Sequence, residues 1–327
     1  MIRGLVLGKF DGMHLGHEAL INFAKDKCDI LYVLLCMNED EEDIPGNIRL
    51  NWLLNTYRTD DKVVIRYTDA KLPYTSVSDM EVSKVWAKHL KQMFPDLDVI
   101  FSSEPYGDYV AECMRIEHIM FDQQREVVPI SGTEIRNNPV KYWDFISKEA
   151  RPYFVRKICI CGTESTGKTT LTEILARHFN TNHVPEWGRR IVKASLETTI
   201  EDIVNIGKAH ATDLIGKVHY ANKILFSDTD LNTTKMYSKY FFDKIPEYEN
   251  WVEEANTFDL HIFLECDAPY VQDGTRLPIE ERNELRNYHY NYLKSKGLKM
   301  EIVTGTDWDS RTKKAIDIVK KNFFFSK

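Results

Sequence analysis

No run of apolar residues in this chain is long enough to cross a membrane. The longest, Ile30–Met37, falls far short of the ~20 residues a spanning helix needs. Gly8-Lys9-Phe10-Asp11 breaks the first apolar segment, so no secretory signal fits there. No C-x-x-C pair occurs among the six cysteines at 28, 36, 113, 159, 161 and 266. That excludes the usual zinc ribbons and a disulfide framework, and points to a reducing cytoplasm. Basic runs are also missing, and the net charge is −7, which argues against sequence-independent nucleic-acid binding. What remains is ordinary for a globular protein: 43% hydrophobic and 28% charged residues over 327 positions, enough for two domains with separate cores.

The stretch that organises the chain is G-T-E-S-T-G-K-T-T, Gly162 to Thr170. It follows the apolar run Ile158-Cys159-Ile160-Cys161 and opens a helical pattern carrying Leu171, Ile174, Leu175 and Phe179. Strand, glycine loop, helix is the context that a phosphate-binding G-x-x-x-x-G-K-[ST] loop requires. The backbone N–H groups of Gly162, Glu164, Ser165, Thr166 and Gly167 are expected to cradle ATP phosphates at a helix N-terminus, with Thr170 opening the helix. Lys168 is expected on the β and γ phosphates, and the Thr169 hydroxyl on Mg²⁺.

The first half opens with an apolar strand over 2–7, then G-K-F-D-G-M-H-L-G-H, Gly8 to His17, then an amphipathic helix with Leu20, Ile21 and Ala24. His14 and His17 lie three apart and share a face at the helix start. Gly16 between them removes a side chain where a base or phosphate must approach. Two imidazoles at a strand's carboxyl end form an anion site in an open α/β sheet. Downstream, Ile130-Ser131-Gly132-Thr133-Glu134-Ile135-Arg136 follows an expected strand over 127–130. Ser131 and Glu134 read as a capping box, and Pro139 closes a short helix. Strands are expected over 30–36, 63–67 and 98–102, with a helix over 78–93, giving a doubly wound parallel sheet. The acidic run Glu39 to Asp43 reads as a solvated loop. Arg49 and Trp52 share a helix face; either they are an exposed cation and a core aromatic, or Arg49 contacts substrate phosphate while Trp52 stacks on a base.

The domain boundary is expected near Ala150–Pro152, giving domains 1–150 and 151–327. In the second half, a strand over 182–184 ends in Pro185-Glu186-Trp187-Gly188-Arg189-Arg190. Glu186 is the candidate base for an acceptor hydroxyl, and Arg189 or Arg190 a substrate clamp. A strand over 223–226 leads to Asp228-Thr229-Asp230, whose carboxylates suit Mg²⁺ or ribose hydroxyls. Strands over 260–265 and 299–303 complete the set. Asp273-Gly274-Thr275-Arg276, followed by Arg282 and Arg286, reads as a segment able to close over phosphates.

The H-x-G-H and I-S-x-T-x-x-R pair resembles the nucleotidylyltransferase superfamily, in which the histidines hold a nucleoside triphosphate while another phosphate attacks its α-phosphorus. With the loop at Gly162 in the same chain, the whole is similar to the bifunctional nicotinamide-nucleotide adenylyltransferase and ribosylnicotinamide kinase (NadR-type) family. The likeness includes G-K-F, F-S-S-E-P-Y, I-S-G-T-E-I-R-N-N-P, P-E-W-G-R-R, D-T-D and D-G-T-R. It implies ATP contacts at Gly8, Lys9, Phe10, Gly16, Ser131 and Thr133, with His14, His17 and Arg136 stabilising the transferring phosphate. It implies Lys168, Glu186 and Asp228 as the kinase set, Arg276 on ATP, and Arg49, Trp52, Arg189 and Asp230 on substrate. The implied ligands are nicotinamide riboside, its mononucleotide (NMN), NAD and MgATP; a homo-oligomer is compatible. Some relatives carry a DNA-binding helix-turn-helix, but here the first strand begins at Ile2, so no such module and no nucleic-acid partner are expected. Asp11-Gly12 stands where the family often has x-Pro and is closer to flavin adenylyltransferases. Two alternatives therefore stand beside this reading: a dual enzyme with a different acceptor, and a regulator that senses ATP or NAD.

Overall fold

The computed structural model describes residues 1–37, 43–73, 79–192, 198–267 and 278–325. The chain forms two compact units, Met1–Arg151 and Pro152–Lys327. Unit 1 runs β1 (Arg3–Gly8), α1 (Leu15–Lys25), β2 (Ile30–Cys36), α2 (Gly46–Tyr57), β3 (Val63–Thr68), α3 (Met80–Met93), β4 (Val99–Ser102), α4 (Tyr106–Met114), β5 (Glu117–Met120) and α5 (Gly132–Asn137). Its strand order is β3-β2-β1-β4-β5, every pair parallel. Alternate residues explain the packing: Leu5, Leu34 and Ile100 face Ala87 and Leu90 of α3 and Val110 and Met114 of α4. Chain direction across the sheet reverses between β1 and β4, the crevice where ligands bind in such folds.

Short α6 (Arg151–Phe154) precedes unit 2, which runs β6 (Arg156–Cys161), α7 (Lys168–His178), β7 (His183–Val184), α8 (Gly188–Ile191), α9 (Ile200–Lys217), β8 (Ile224–Asp228), α10 (Leu231–Phe242), α11 (Asn250–Ala255), β9 (Leu260–Leu264), α12 (Ile279–Ser295), β10 (Met300–Val303) and α13 (Trp308–Phe323). The second sheet has order β10-β9-β6-β8-β7, again all parallel. Strand β6 is buried on both faces. Ile158 and Ile160 pack with Leu171 and Leu175 of α7 and with Ala315 and Val319 of α13. Cys159 and Cys161 pack with Phe263 and Leu293 on the other face, where small thiols leave room for the phenyl ring. No helix among the described residues is long and apolar enough to cross a membrane.

One expected strand does not form. Residues 127–130 are irregular, and the fifth strand lies earlier, at Glu117–Met120. The Asp122 carboxylate accepts from the backbone N–H of Glu126 (2.7 Å) and Val127 (3.1 Å), so those groups are turned away from any ladder. Val127 is accordingly exposed.

At the end of β4, Ser102 Oγ lies 3.0 Å from His118 Nε2, and His118 Nδ1 lies 2.7 Å from Asp108. The Ser102 hydroxyl also donates to the Glu104 carbonyl at 2.7 Å, which fixes the loop at the crevice. A Cβ on Gly107 would stand 2.2 Å from His118 Nε2 and 2.6 Å from Ser102 Oγ. Gly107→Ala should therefore destabilise unit 1 by about 1–3 kcal/mol, read as a lowered denaturant midpoint.

Candidate functional site

In unit 1, the two motifs meet backbone to backbone. Gly12 has φ +93°, and a Cβ there would lie 3.0 Å from the Gly132 carbonyl. A Cβ on Gly132 would lie 2.5 Å from the Asp11 carbonyl. The Asp11-Gly12 pair is thus part of the loop packing. Asp11 also accepts from Ile44 N at 3.2 Å and pairs with Arg136 Nη1 at 3.2 Å.

His14 caps α1, and its Nδ1 accepts from Gly16 N at 3.1 Å, while His17 Nδ1 accepts from His14 N at 3.3 Å. A nitrogen that faces an N–H must be unprotonated, so each ring carries its hydrogen on Nε2, the one nitrogen left to donate. The rings stack with centroids 3.9 Å apart, and the edge of buried Phe10 meets His17 at 5.1 Å. Burial, with the charge of Arg125 opposed by Glu134, lowers His14 to about 4. Burial, then His14 and Arg125, hold His17 well below the ordinary imidazole range. The pair is neutral near pH 7. Gly16 is needed for a reason internal to the fold: a Cβ would sit 2.9 Å from the His14 ring.

The expected capping box forms, with Glu134 N to Ser131 Oγ at 3.3 Å and Ser131 N to Glu134 at 2.9 Å. Arg136 reaches Asp43 at 2.6 Å and Thr133 Oγ1 at 3.4 Å, besides Asp11. Arg49 and Trp52 are both held inside the protein. Arg49 is fully buried, and its guanidinium donates to the carbonyls of Ile44 (2.8 Å), Lys9 and Cys36 (3.4 Å). It joins the loops after β1 and β2. Trp52 is 5% exposed, a core aromatic of α2. Arg125 was not singled out in the sequence, because only the Asp122-capped turn brings its charge to the histidines.

In unit 2, the loop between β6 and α7 is held by left-handed residues Gly162 (φ +141°), Ser165 (φ +56°) and Gly167 (φ +83°). Lys168 is 5% exposed and its ammonium donates to the Thr163 carbonyl at 2.9 Å; Thr166 Oγ1 donates to the same oxygen at 2.8 Å. Thr170 is exposed. Thr169 Oγ1 donates to Asp228 Oδ2 at 2.5 Å. Asp228 is fully buried, and its Oδ1 has no hydrogen-bond partner among the described residues. Burial raises its pKa, Lys168 opposes, and Glu186 adds to the rise. Glu186 pairs with Arg189 at 2.6 Å. Lys168, Thr169, Glu186, Arg189 and Asp228 therefore converge. A hydroxyl beside a buried carboxylate with a bare oxygen fits a hydrated Mg²⁺. Tyr237, which the sequence reading passed over, joins them: burial, then Glu164 and Glu186, push its phenol well up.

Asp230, expected on substrate, is engaged within the protein. It caps α10 by accepting from Thr233 N at 2.8 Å and meets His261 Nε2 at 3.1 Å. Arg282 and Arg286 are also engaged, on the Cys266 carbonyl (2.8 Å) and on Glu265 (2.9 Å). Arg276, with Asp273-Gly274-Thr275, lies outside the described residues, as do positions 39–42 of the acidic run.

The fold defines a two-unit α/β protein, each unit built on a parallel five-stranded sheet, with a P-loop in the second. A family model described as an AAA domain matches residues 157–311. The chain is 31% identical over 345 aligned positions to the trifunctional NAD biosynthesis/regulator protein NadR of Escherichia coli (strain K12), covering 97% of this chain and 82% of that one. The chain belongs to the NadR family. Two solved NadR structures, one in complex with NAD and AMP-PNP and one with NR, share the fold. Each has a TM-score of 0.81 at 21% identity; the first covers 100% of this chain and 97% of its own, the second 99% and 96%.

Two outcomes follow. The native histidines resist protonation while the unfolded chain takes protons near pH 6.5, so the unfolded state binds more protons in between and stability rises with pH. Unit 1 should keep this contribution above about pH 6.5 and lose it as pH falls toward about 4. His14 alone accounts for about 3 kcal/mol, and His14→Asn should flatten the slope in denaturant melts. Asp230→Ala strands buried His261 and uncaps α10, and should cost about 3–5 kcal/mol, read as the urea midpoint of unit 2.

Proposed function

We propose that the chain is a bifunctional enzyme of NAD salvage. Unit 2 phosphorylates nicotinamide riboside with ATP to give NMN, and unit 1 transfers the adenylyl group of ATP to NMN, releasing pyrophosphate and NAD. The observation that supports this reading is that one chain of the NadR family carries both the capped His14 and His17 helix start and the Lys168 loop with Thr169 on Asp228.

In the kinase step, the riboside hydroxyl attacks the γ-phosphorus and ADP leaves. Lys168 is the cation for the transferring phosphoryl, its ammonium moving from the Thr163 carbonyl. Glu186 orients the hydroxyl and accepts its proton, and Arg189, 2.6 Å away, holds the carboxylate in place. Thr169 and Asp228 would hold Mg²⁺, whose chemistry is to offset charge on the β and γ phosphates.

In the adenylyl step, a phosphate oxygen of NMN attacks the α-phosphorus of ATP and the bond to the β-phosphate oxygen breaks. The nucleophile is already ionised, so no strong base is required. The Nε2–H groups of His14 and His17 donate to phosphate oxygens, and Arg136 adds a charge at the start of α5. Ser131, Thr133, Gly8, Lys9, Phe10 and Gly16 shape the same edge. We place the protein in the cytoplasm, where both substrates and reduced thiols are found.

Incubation with nicotinamide riboside and MgATP should yield NMN and then NAD by chromatography. Lys168→Ala should abolish the first step while supplied NMN is still converted. His17→Ala should let NMN accumulate and slow NAD formation on the order of 10²–10³-fold. Consumption of a flavin with no NMN formed would instead indicate a different acceptor.

A further inference from the structure

Arg311, on the first turn of α13, is 1% exposed although it carries a full charge. Its guanidinium meets three loops at the carboxyl edge of the second sheet. Nη2 donates to the carbonyl of Thr166, in the phosphate loop, at 3.2 Å. Nη1 donates to the Gly305 carbonyl, after β10, at 3.1 Å. Both nitrogens lie 3.2 Å from the Glu265 carbonyl, after β9. Asp267 pairs with Nη1 at 2.6 Å, and its other oxygen accepts from Gly305 N. The ring of Trp308, whose centroid is 5.5 Å from the guanidinium, lies on Gly167, where a Cβ would come 2.0 Å from the indole.

The contact with the Thr166 carbonyl also orients the N–H of the same peptide, that of Gly167. A trans peptide is planar, and its C=O and N–H point in opposite directions. With the Thr166 carbonyl drawn toward buried Arg311, the Gly167 N–H must point away from the protein body, toward the concavity of the loop. The loop alone does not secure this orientation, because Gly167, at φ +83°, has no Cβ to restrict its backbone. A lysine could not do the same: one ammonium on a flexible stem lacks the planar fork that spans Thr166, Glu265 and Asp267 together.

We propose that Arg311, held by Asp267, is a positioning residue of the kinase site. It sets the Thr166–Gly167 peptide so that an N–H faces the nucleotide phosphates, and it ties that setting to the loops after β9 and β10. The inference rests on the kinase reading of unit 2. Because the N–H meets phosphate before and during transfer, its effect falls on nucleotide affinity and not on the chemical step.

The test is steady-state kinase kinetics with ATP varied, on Arg311→Met, Arg311→Lys and Asp267→Asn in the full chain, with ADP inhibition measured alongside. Arg311→Met should raise KM for ATP about tenfold, the equivalent of one lost hydrogen bond. The ADP inhibition constant should rise in parallel and kcat should stay within about threefold. Arg311→Lys and Asp267→Asn should shift KM in the same direction by less, and they carry the test if Arg311→Met does not accumulate as folded protein. A KM for ATP within twofold of the parent in the folded variants, whatever happens to kcat or Tm, overturns the proposal. A parent that phosphorylates no riboside overturns the kinase reading instead.

Discussion

Parallel β-structure imposes one constraint on which both units depend. Every strand delivers the chain to the same edge of its sheet, and the next helix starts there. In unit 1 that edge collects the loops after Gly8, Cys36 and Ser102; in unit 2 it collects those after Cys161, Val184, Asp228 and Leu264. Backbone amides and helix starts accumulate at the edge, which favours anions. Crowding follows as well. Gly12 against Gly132 and Gly162 against the Leu264 carbonyl, 2.8 Å from where a Cβ would stand, are places where main chains touch and a side chain cannot intrude.

Crowded loops leave carbonyls buried without helical or strand partners, and these need donors. Arginine supplies them in both units. Arg49 joins Ile44, Lys9 and Cys36; Arg311 joins Thr166, Glu265 and Gly305. A planar fork held at several points at once stays where it is, whereas the Lys168 ammonium rests on one carbonyl and can transfer to a phosphate. Number of anchor points separates the cations that build these sites from the one best suited to act in them.

The two proposed phosphate sites are built by different means. In unit 1, stacked neutral imidazoles pinned through Nδ1 offer dipoles without a net charge. In unit 2, a buried ammonium and carboxylate adjoin a hydroxyl. Neutral donors suit a reaction whose nucleophile is itself a phosphate, because they stabilise the transition state without clamping either anion in the ground state.

Much of this was legible in the chain. Apolar runs identify β1, β2, β6 and β8, with glycine closing β1 and β6, and the capping box at Ser131 marks α5, because strand patterning and helix capping are local properties. The residues at 14, 17, 168 and 169 are local too, since a helix start fixes what its first turn presents. Other assignments were not local. Residues 127–130 carry a strand-like composition, but the Asp122 carboxylate claims the N–H groups of Val127 and Val128. Asp228 and Asp230 look equivalent in sequence; strand alternation and the start of α10 turn one toward Thr169 and the other toward His261. Arg49 read as either an exposed cation or a phosphate ligand, Arg311 carried no signal, and only the fold shows which carbonyls surround them. The sequence by itself thus determined two parallel-sheet units and the anion-binding turn of each. Tertiary structure decided which charged side chains face the ligand and which brace the loops, because that depends on groups distant in sequence competing for the same buried hydrogen bonds.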